Sequence, residues 1–199
     1  MYVEKHEQTF IDGRISKGVT RFIDPFGNDI AILTSDFKLA ATPDYEMNNF
    51  RRGKIDRVQI KNDLVEIGIK SSKHSEFTVK TIPLEKNAVF ADGLIFYLFD
   101  HVQTLLKKRT LHARVLSSAR ARFFDVTAKF SKLENGVMSI NIVVPNIFLR
   151  ILVPRTQIYL DVNSKRILKY SGLAPIRDEK AHLQHVVIDY HYKSDLVDN

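Results

Sequence analysis

The side chains with chemical capacity are few and scattered. The densest histidine group is His182, His185, Asp189 and His191. Imidazole nitrogens and carboxylate oxygens hold a metal ion when three or four converge. On a strand, His185, Asp189 and His191 share one face, because side chains alternate with period two. At ~3.3 Å per residue, His185 lies ~13 Å from Asp189, too far to share one ion. The spacing predicts the polar outer face of an amphipathic strand and no metal site. His101 stands in an apolar run. It is either a buried polar group bonded to a partner or a residue at the mouth of a cavity.

Other chemistry finds less support. Arg177-Asp178-Glu179 is a charged turn, and no pair of carboxylates has the spacing of an acid–base dyad. Cysteine is absent, so there is no thiolate nucleophile, no cysteine metal site and no disulfide framework. No glycine-rich phosphate loop and no strand–serine–helix elbow occurs. The expectation is a protein that is not an enzyme and holds no cofactor.

Basic residues are more suggestive. The net charge is +7, which favours contact with something anionic or simply solvates the surface. Arg114, Arg120 and Arg122 lie near Phe123 and Phe124. Interleaved basic and aromatic side chains on a sheet can bind single-stranded nucleic acid. No RNA-recognition sequence accompanies them. Phe124 also falls in the inward set of its strand, which favours a core role for it. Arg51, Arg52 and Lys54 form a second basic patch, read as a solvated loop.

The segment that must position any site is Asp92–Lys108. Ile95, Leu98, Phe99, Val102, Leu105 and Leu106 recur at three- and four-residue spacing, one face of a helix. Asp92 can act as N-cap, and Lys107, Lys108 and Arg109 suit the negative end of the helix dipole. The run Leu94–Phe99 is apolar on most sides, so the helix is expected to be buried on most sides. Asp100 and His101 stop it far short of the ~20 apolar residues of a membrane span.

Nearly everything else reads as strand. Val19–Asp24 ends in the Pro- and Gly-bearing loop Asp24–Asn28, and Ile30–Leu33 follows. Residues 36–53 give no clear element, with Thr42-Pro43-Asp44 as a breaker. Val58 and Ile60, then Val65, Ile67 and Ile69, alternate around the Asn62-Asp63 turn as a hairpin. Phe77 and Val79 begin a strand ended by Pro83. After the helix, strands are expected at 111–117, 124–130, 138–144, 158–162, 166–171 and 185–192, with Glu134-Asn135-Gly136 as a hairpin turn. Asn146–Leu152 suggests a short amphipathic turn of helix, and Asp195–Asn199 a frayed tail. No repeat or linker divides the chain, so a single domain, 1–199, is expected.

The predicted fold class is α+β and mostly β. About a dozen strands form one curved antiparallel sheet, a half-barrel, wrapped around one long apolar helix. Leu94, Phe96, Tyr97 and His101 then either seal a core or line a ligand pocket, and they are the candidate ligand-binding residues.

Residues Leu160–Asp178, with Asp161, Arg166, Leu168, Tyr170, Gly172, Leu173, Ile176 and Asp178 at characteristic positions, resemble the end of an uncharacterised family of Gram-negative bacterial envelope proteins. Phe148–Pro154 fits the same pattern, and Glu4, His6 and Asp24–Gly27 fit it more weakly. The resemblance implies a half-barrel similar to that of bacterial lipoprotein carriers. It transfers no activity and no functional residue. Members usually carry an export signal. Met1–His6 has neither a basic n-region nor an apolar h-region. The expected compartment is periplasmic where an export signal precedes this sequence, and cytoplasmic otherwise.

The expected function is that of a non-enzymatic binding protein of the bacterial envelope. It would hold an apolar or amphiphilic ligand, such as a lipid or lipoprotein, or a partner protein, in or on the half-barrel. An anionic surface is a further expected partner. The alternative is a basic nucleic-acid-binding module of the cytoplasm.

Overall fold

The computed structural model describes residues 2–145, 156–178 and 182–193. The period-two patterns become two sheets of seven strands, neither of them closed. The first is a meander in chain order: β1 (Val3–Ile11), β2 (Arg14–Ile23), β3 (Asp29–Asp36), β4 (Asp44–Asn49), β5 (Lys54–Lys61), β6 (Leu64–Lys70) and β7 (Thr78–Pro83). All its pairings are antiparallel. Asp12 and Gly13 both take positive φ (50° and 72°), the geometry that a two-residue hairpin turn needs to match strand twist.

The second sheet runs β8 (Ala88–Val89), β9 (Thr110–Ser117), β10 (Arg122–Glu134), β11 (Val137–Val143), β12 (Thr156–Asp161), β13 (Arg166–Leu173) and β14 (His185–Asp189), again in chain order. β8 and β9 are parallel, joined across α1 (Gly93–Asp100) and α2 (Val102–Lys108). A single 3-10 turn, Ser118–Arg120, links β9 to β10.

The chain packs as two compact units, Met1–Leu98 with Ala113–Asp125, and Phe99–His112 with Val126–Asn199. In the first, Val58, Val65, Ile67, Ala88, Phe90, Leu116 and Phe123 form a buried cluster, with Tyr45, Ile60, Ile69 and Ile82 packed against it. Phe90 and Phe123 stack with centroids 6.1 Å apart. In the second, Leu105, Met138, Ile140, Ile158 and Leu160 are fully buried. Burial of side chains this size contributes roughly 1.5–3 kcal/mol each.

Two expectations are corrected. The long helix is broken. His101 has φ −113° and ψ 18°, outside the helical region, and the ladder of α2 restarts from its carbonyl, which accepts the Leu105 N–H at 2.9 Å. The two halves are anchored in different units: Leu98 is fully buried in the first, Leu105 in the second. The half-barrel is also absent, because the strands divide seven and seven. Alternation reveals which face of a strand is buried, but it carries no information about which strands pair. The first sheet ends at β7, and β8 opens the second by pairing forward with β9.

The helix start depends on Gly93. A Cβ there would run into the Ala41 carbonyl and lie 2.9 Å from Pro43 Cδ. The Ala41 carbonyl also accepts the Phe90 N–H at 3.0 Å, so this close approach fixes the entry to α1. The expected helical turn at 146–152 and the tail 195–199 lie outside the described residues.

Candidate functional site

The four residues singled out on the helix divide between the units. Leu94 and Phe96 are half-buried, and Phe96 meets Phe37 edge-on at 5.1 Å. Tyr97 is buried, and burial pushes its hydroxyl pKa up. These three belong to the first unit. His101, half-buried at the break between the helices, belongs to the second.

The histidine-rich strand holds its carboxylates in other pairs. Asp189 binds Lys169 at 3.1 Å, and Asp178 accepts the His182 N–H at 2.7 Å. Among the described residues, no group of three His, Asp or Glu side chains could hold a metal ion.

The first sheet assembles a polar cluster whose members lie far apart in the chain. His6 of β1 faces Thr20 of β2 in register. Thr20 Oγ1 lies 2.9 Å from His6 Nδ1, and His6 Nε2 lies 3.1 Å from Glu4 Oε2. A hydroxyl, an imidazole and a carboxylate in line have the connectivity of an activated nucleophile. Thr20 is only 5% exposed, however, so its oxygen is covered from any substrate. Nearby, Ser35 Oγ donates to both carboxylate oxygens of Asp92, at 3.0 and 3.2 Å. Burial holds the Asp92 pKa above the usual carboxylate range, against the opposing pull of the Ser35 hydrogen bond. Tyr45 of β4 is pushed up to about 12 by burial, with a hydrogen bond to Ser118 opposing the shift. These contacts tie strands together and orient α1.

One end of the first sheet carries exposed aromatic and basic side chains together. Three hairpin loops emerge there: 24–28 between β2 and β3, 50–53 between β4 and β5, and 71–77 between β6 and β7. Each is held by its own hydrogen bonds. Asp24 Oδ1 accepts the N–H groups of Phe26 and Asn28, both at 2.9 Å, and these bonds hold its carboxyl below the usual range. Gly27 supplies the positive φ of 88° that closes the turn. The Phe50 N–H binds the Ile30 carbonyl at 3.0 Å, and the Arg52 N–H binds Asn49 Oδ1 at 3.2 Å. Ser75 Oγ closes the third loop by donating to the Ser72 carbonyl and accepting its N–H, both at 3.0 Å.

The loops are neighbours in space. The Arg51 charge acts on Asp24, joining the first loop to the second. Gly53, at φ 58°, lies so close to the third loop that a Cβ on it would sit 2.6 Å from Lys73 N. On this framework Phe26 is 88% exposed, Phe50 47% and Phe77 40%. Arg52 and Lys73 are exposed beside them, with no carboxylate partner among the described residues. Asp29 and Asp56 at this end are already taken by Arg21 (2.8 Å) and Lys54 (2.5 Å).

No protein-family model, curated protein or solved structure matches this chain. The site therefore rests on its own geometry. Among the described residues, no helix is long and apolar enough to cross a membrane.

A second basic feature follows the 3-10 turn. Arg120 and Arg122 both stack on the Phe124 ring, at 5.6 and 4.4 Å, around Ala121 in the left-handed region. Phe124 is half-buried, and Phe123 is the residue that enters the core. The alternation of the strand predicts the inward role for Phe124, and the structure gives it to Phe123 instead. Arg114 is neutralised by Glu85 and Asp125.

Proposed function

We propose that the protein is a non-enzymatic binding protein that attaches to an anionic lipid surface through the loop end of its first sheet. The observation that carries this reading is the pairing of Phe26, 88% exposed, with neighbouring loops bearing Phe50, Arg51, Arg52 and Lys73. Aromatic rings suit the boundary between headgroups and acyl chains, and basic side chains suit anionic headgroups. The hydrogen bonds within each loop fix the backbone before binding, which reduces the ordering cost of attachment. An envelope setting, which the sequence resemblance implies, supplies such a surface.

The test is co-sedimentation with phosphatidylcholine vesicles with and without phosphatidylserine. Binding should require phosphatidylserine and weaken with salt. Full burial of a phenylalanine is worth roughly 1.5–3 kcal/mol, so Phe26→Ala should weaken partitioning by about tenfold or more. Arg52→Glu should weaken it by about fivefold or more, since one basic residue near the surface contributes about 1 kcal/mol. Absence of binding to either vesicle, or binding that ignores both substitutions, refutes the reading.

A second reading rests on Arg120, Arg122 and Phe124. Two guanidinium groups on one ring resemble the mixture of charge and stacking surface that holds single-stranded nucleic acid. Salt-sensitive binding of an oligonucleotide, lost in Arg120→Ala/Arg122→Ala, would favour it over the lipid surface.

A further inference from the structure

The first sheet leaves one long edge open. β1 stands at the end of the strand order, and its nine residues are exposed except for half-buried Glu4. Long edge strands invite pairing, and proteins usually guard them with proline, bulges or shortness. The opposite edge, β7, has six residues and ends in Pro83, and the described edges of the second sheet are β8 with two residues and β14 with five. β1 has no proline, and between Val3 and Thr9 no register shift interrupts it. Its guard is charge alone: Lys5 and Glu7, 56% and 61% exposed, paired with each other along the strand at 3.4 Å.

That charge pattern is self-complementary. We propose that two copies of this chain associate edge to edge through antiparallel pairing of β1 with β1, centred on His6. Two-fold symmetry requires one residue to face its own copy. Centring on Glu7 sets Glu7 against Glu7, and centring on Lys5 sets Lys5 against Lys5. Centring on His6 sets Lys5 against Glu7 twice, on one face, with Val3 against Thr9 beyond them. On the other face Glu4 meets Gln8. The alternating signs thus repel many foreign edges while admitting a second copy, which is how specificity is set by charge. This inference stands independently of the lipid surface.

The test uses the whole chain in sedimentation velocity over a concentration series, with circular dichroism to confirm folding. The wild-type chain should show a concentration-dependent dimer. Lys5→Glu and Glu7→Lys each place like charges opposite one another twice, and each should weaken dimerisation by about tenfold or more. An equimolar mixture of the two variants restores complementarity, so native mass spectrometry should find the mixed dimer and little of either homodimer. The double variant K5E/E7K should dimerise again. A wild-type chain that stays monomeric overturns the proposal and leaves the edge to a strand of another protein. A dimer indifferent to both substitutions, or a mixture that fails to pair, overturns it as well.

Discussion

Leu98 decides whether the helical segment is permanently packed. Its side chain is fully buried in the first unit, one turn from Leu94, which is only half-buried. Leu98→Ala removes three carbons from a site with no solvent contact. Transfer alone costs ~0.8 kcal/mol per carbon, about 2.4 kcal/mol, and the cavity left behind raises the total to roughly 2.5–5 kcal/mol. For a chain of this size each kcal/mol moves the midpoint by about 2–4 °C, so a drop of about 5–20 °C is expected. Leu94→Ala, already part-solvated, should cost about half as much or less. Thermal unfolding followed by circular dichroism, checked against urea titration, measures both. A Leu98→Ala shift of less than about 2 °C would refute the reasoning, because it would show that α1 spends much of its time away from the core.

Two further predictions follow from buried titrating groups. Asp92 has a raised folded-state pKa, so its favourable contribution is fully present below its unfolded value of 3.8 and is lost as pH rises through the folded value; Asp92→Asn should therefore gain stability relative to wild type as pH rises above 3.8, and a difference in melting temperature that stays flat with pH would contradict it. Tyr45, pushed up to about 12, should ionise well after the exposed tyrosines in an ultraviolet titration, and it contributes stability that is lost between its ordinary value of 10.0 and about 12; Tyr45→Phe should remove that late step, and its persistence in the variant would assign it to another tyrosine.

Much of the strand content was legible because the alternation is strong. The Val58–Ile69 hairpin, the Asn62 turn and the Glu134–Gly136 turn all stand where the pattern puts them, with Asn62 and Asn135 at positive φ. β4 was not legible. Asp44-Tyr45-Glu46-Met47-Asn48-Asn49 has no β-branched residue, and all six positions are half-buried, so neither propensity nor alternation marks it. It is a strand because β3 and β5 pair with both of its edges. β8 was invisible for a related reason: two residues are too few to show a period. The helix break was hidden because Asp100 and His101 interrupt the apolar stripe without disturbing its spacing. Tertiary anchoring of Leu98 and Leu105 in separate units decides it. The polar cluster was hidden as well, since Glu4, His6, Thr20, Ser35 and Asp92 come from four separate stretches of chain that only the sheet brings together. Of the loop end, the sequence shows Arg51 and Arg52 as a basic patch and Asp24–Asn28 as a turn. Their adjacency depends on the meander, which sets alternate hairpins at the same end.

The loop end is also where folding leaves side chains unexplained. The turn at 24–28 requires the Asp24 carboxylate, the freedom of Gly27 and the backbone N–H of residue 26. It requires nothing of the residue 26 side chain, and any polar residue would meet the same backbone need. A phenylalanine held 88% in water there contributes almost no burial to the folded state. The same holds for Arg52, whose N–H helps close its loop while its guanidinium has no carboxylate partner among the described residues. Scattered exposed apolar residues are ordinary, but an aromatic tip beside uncompensated charge on hydrogen-bonded loops is the arrangement that binding surfaces use. The fold therefore accounts for the backbone of this end and leaves its side chains to the proposed attachment to an anionic surface.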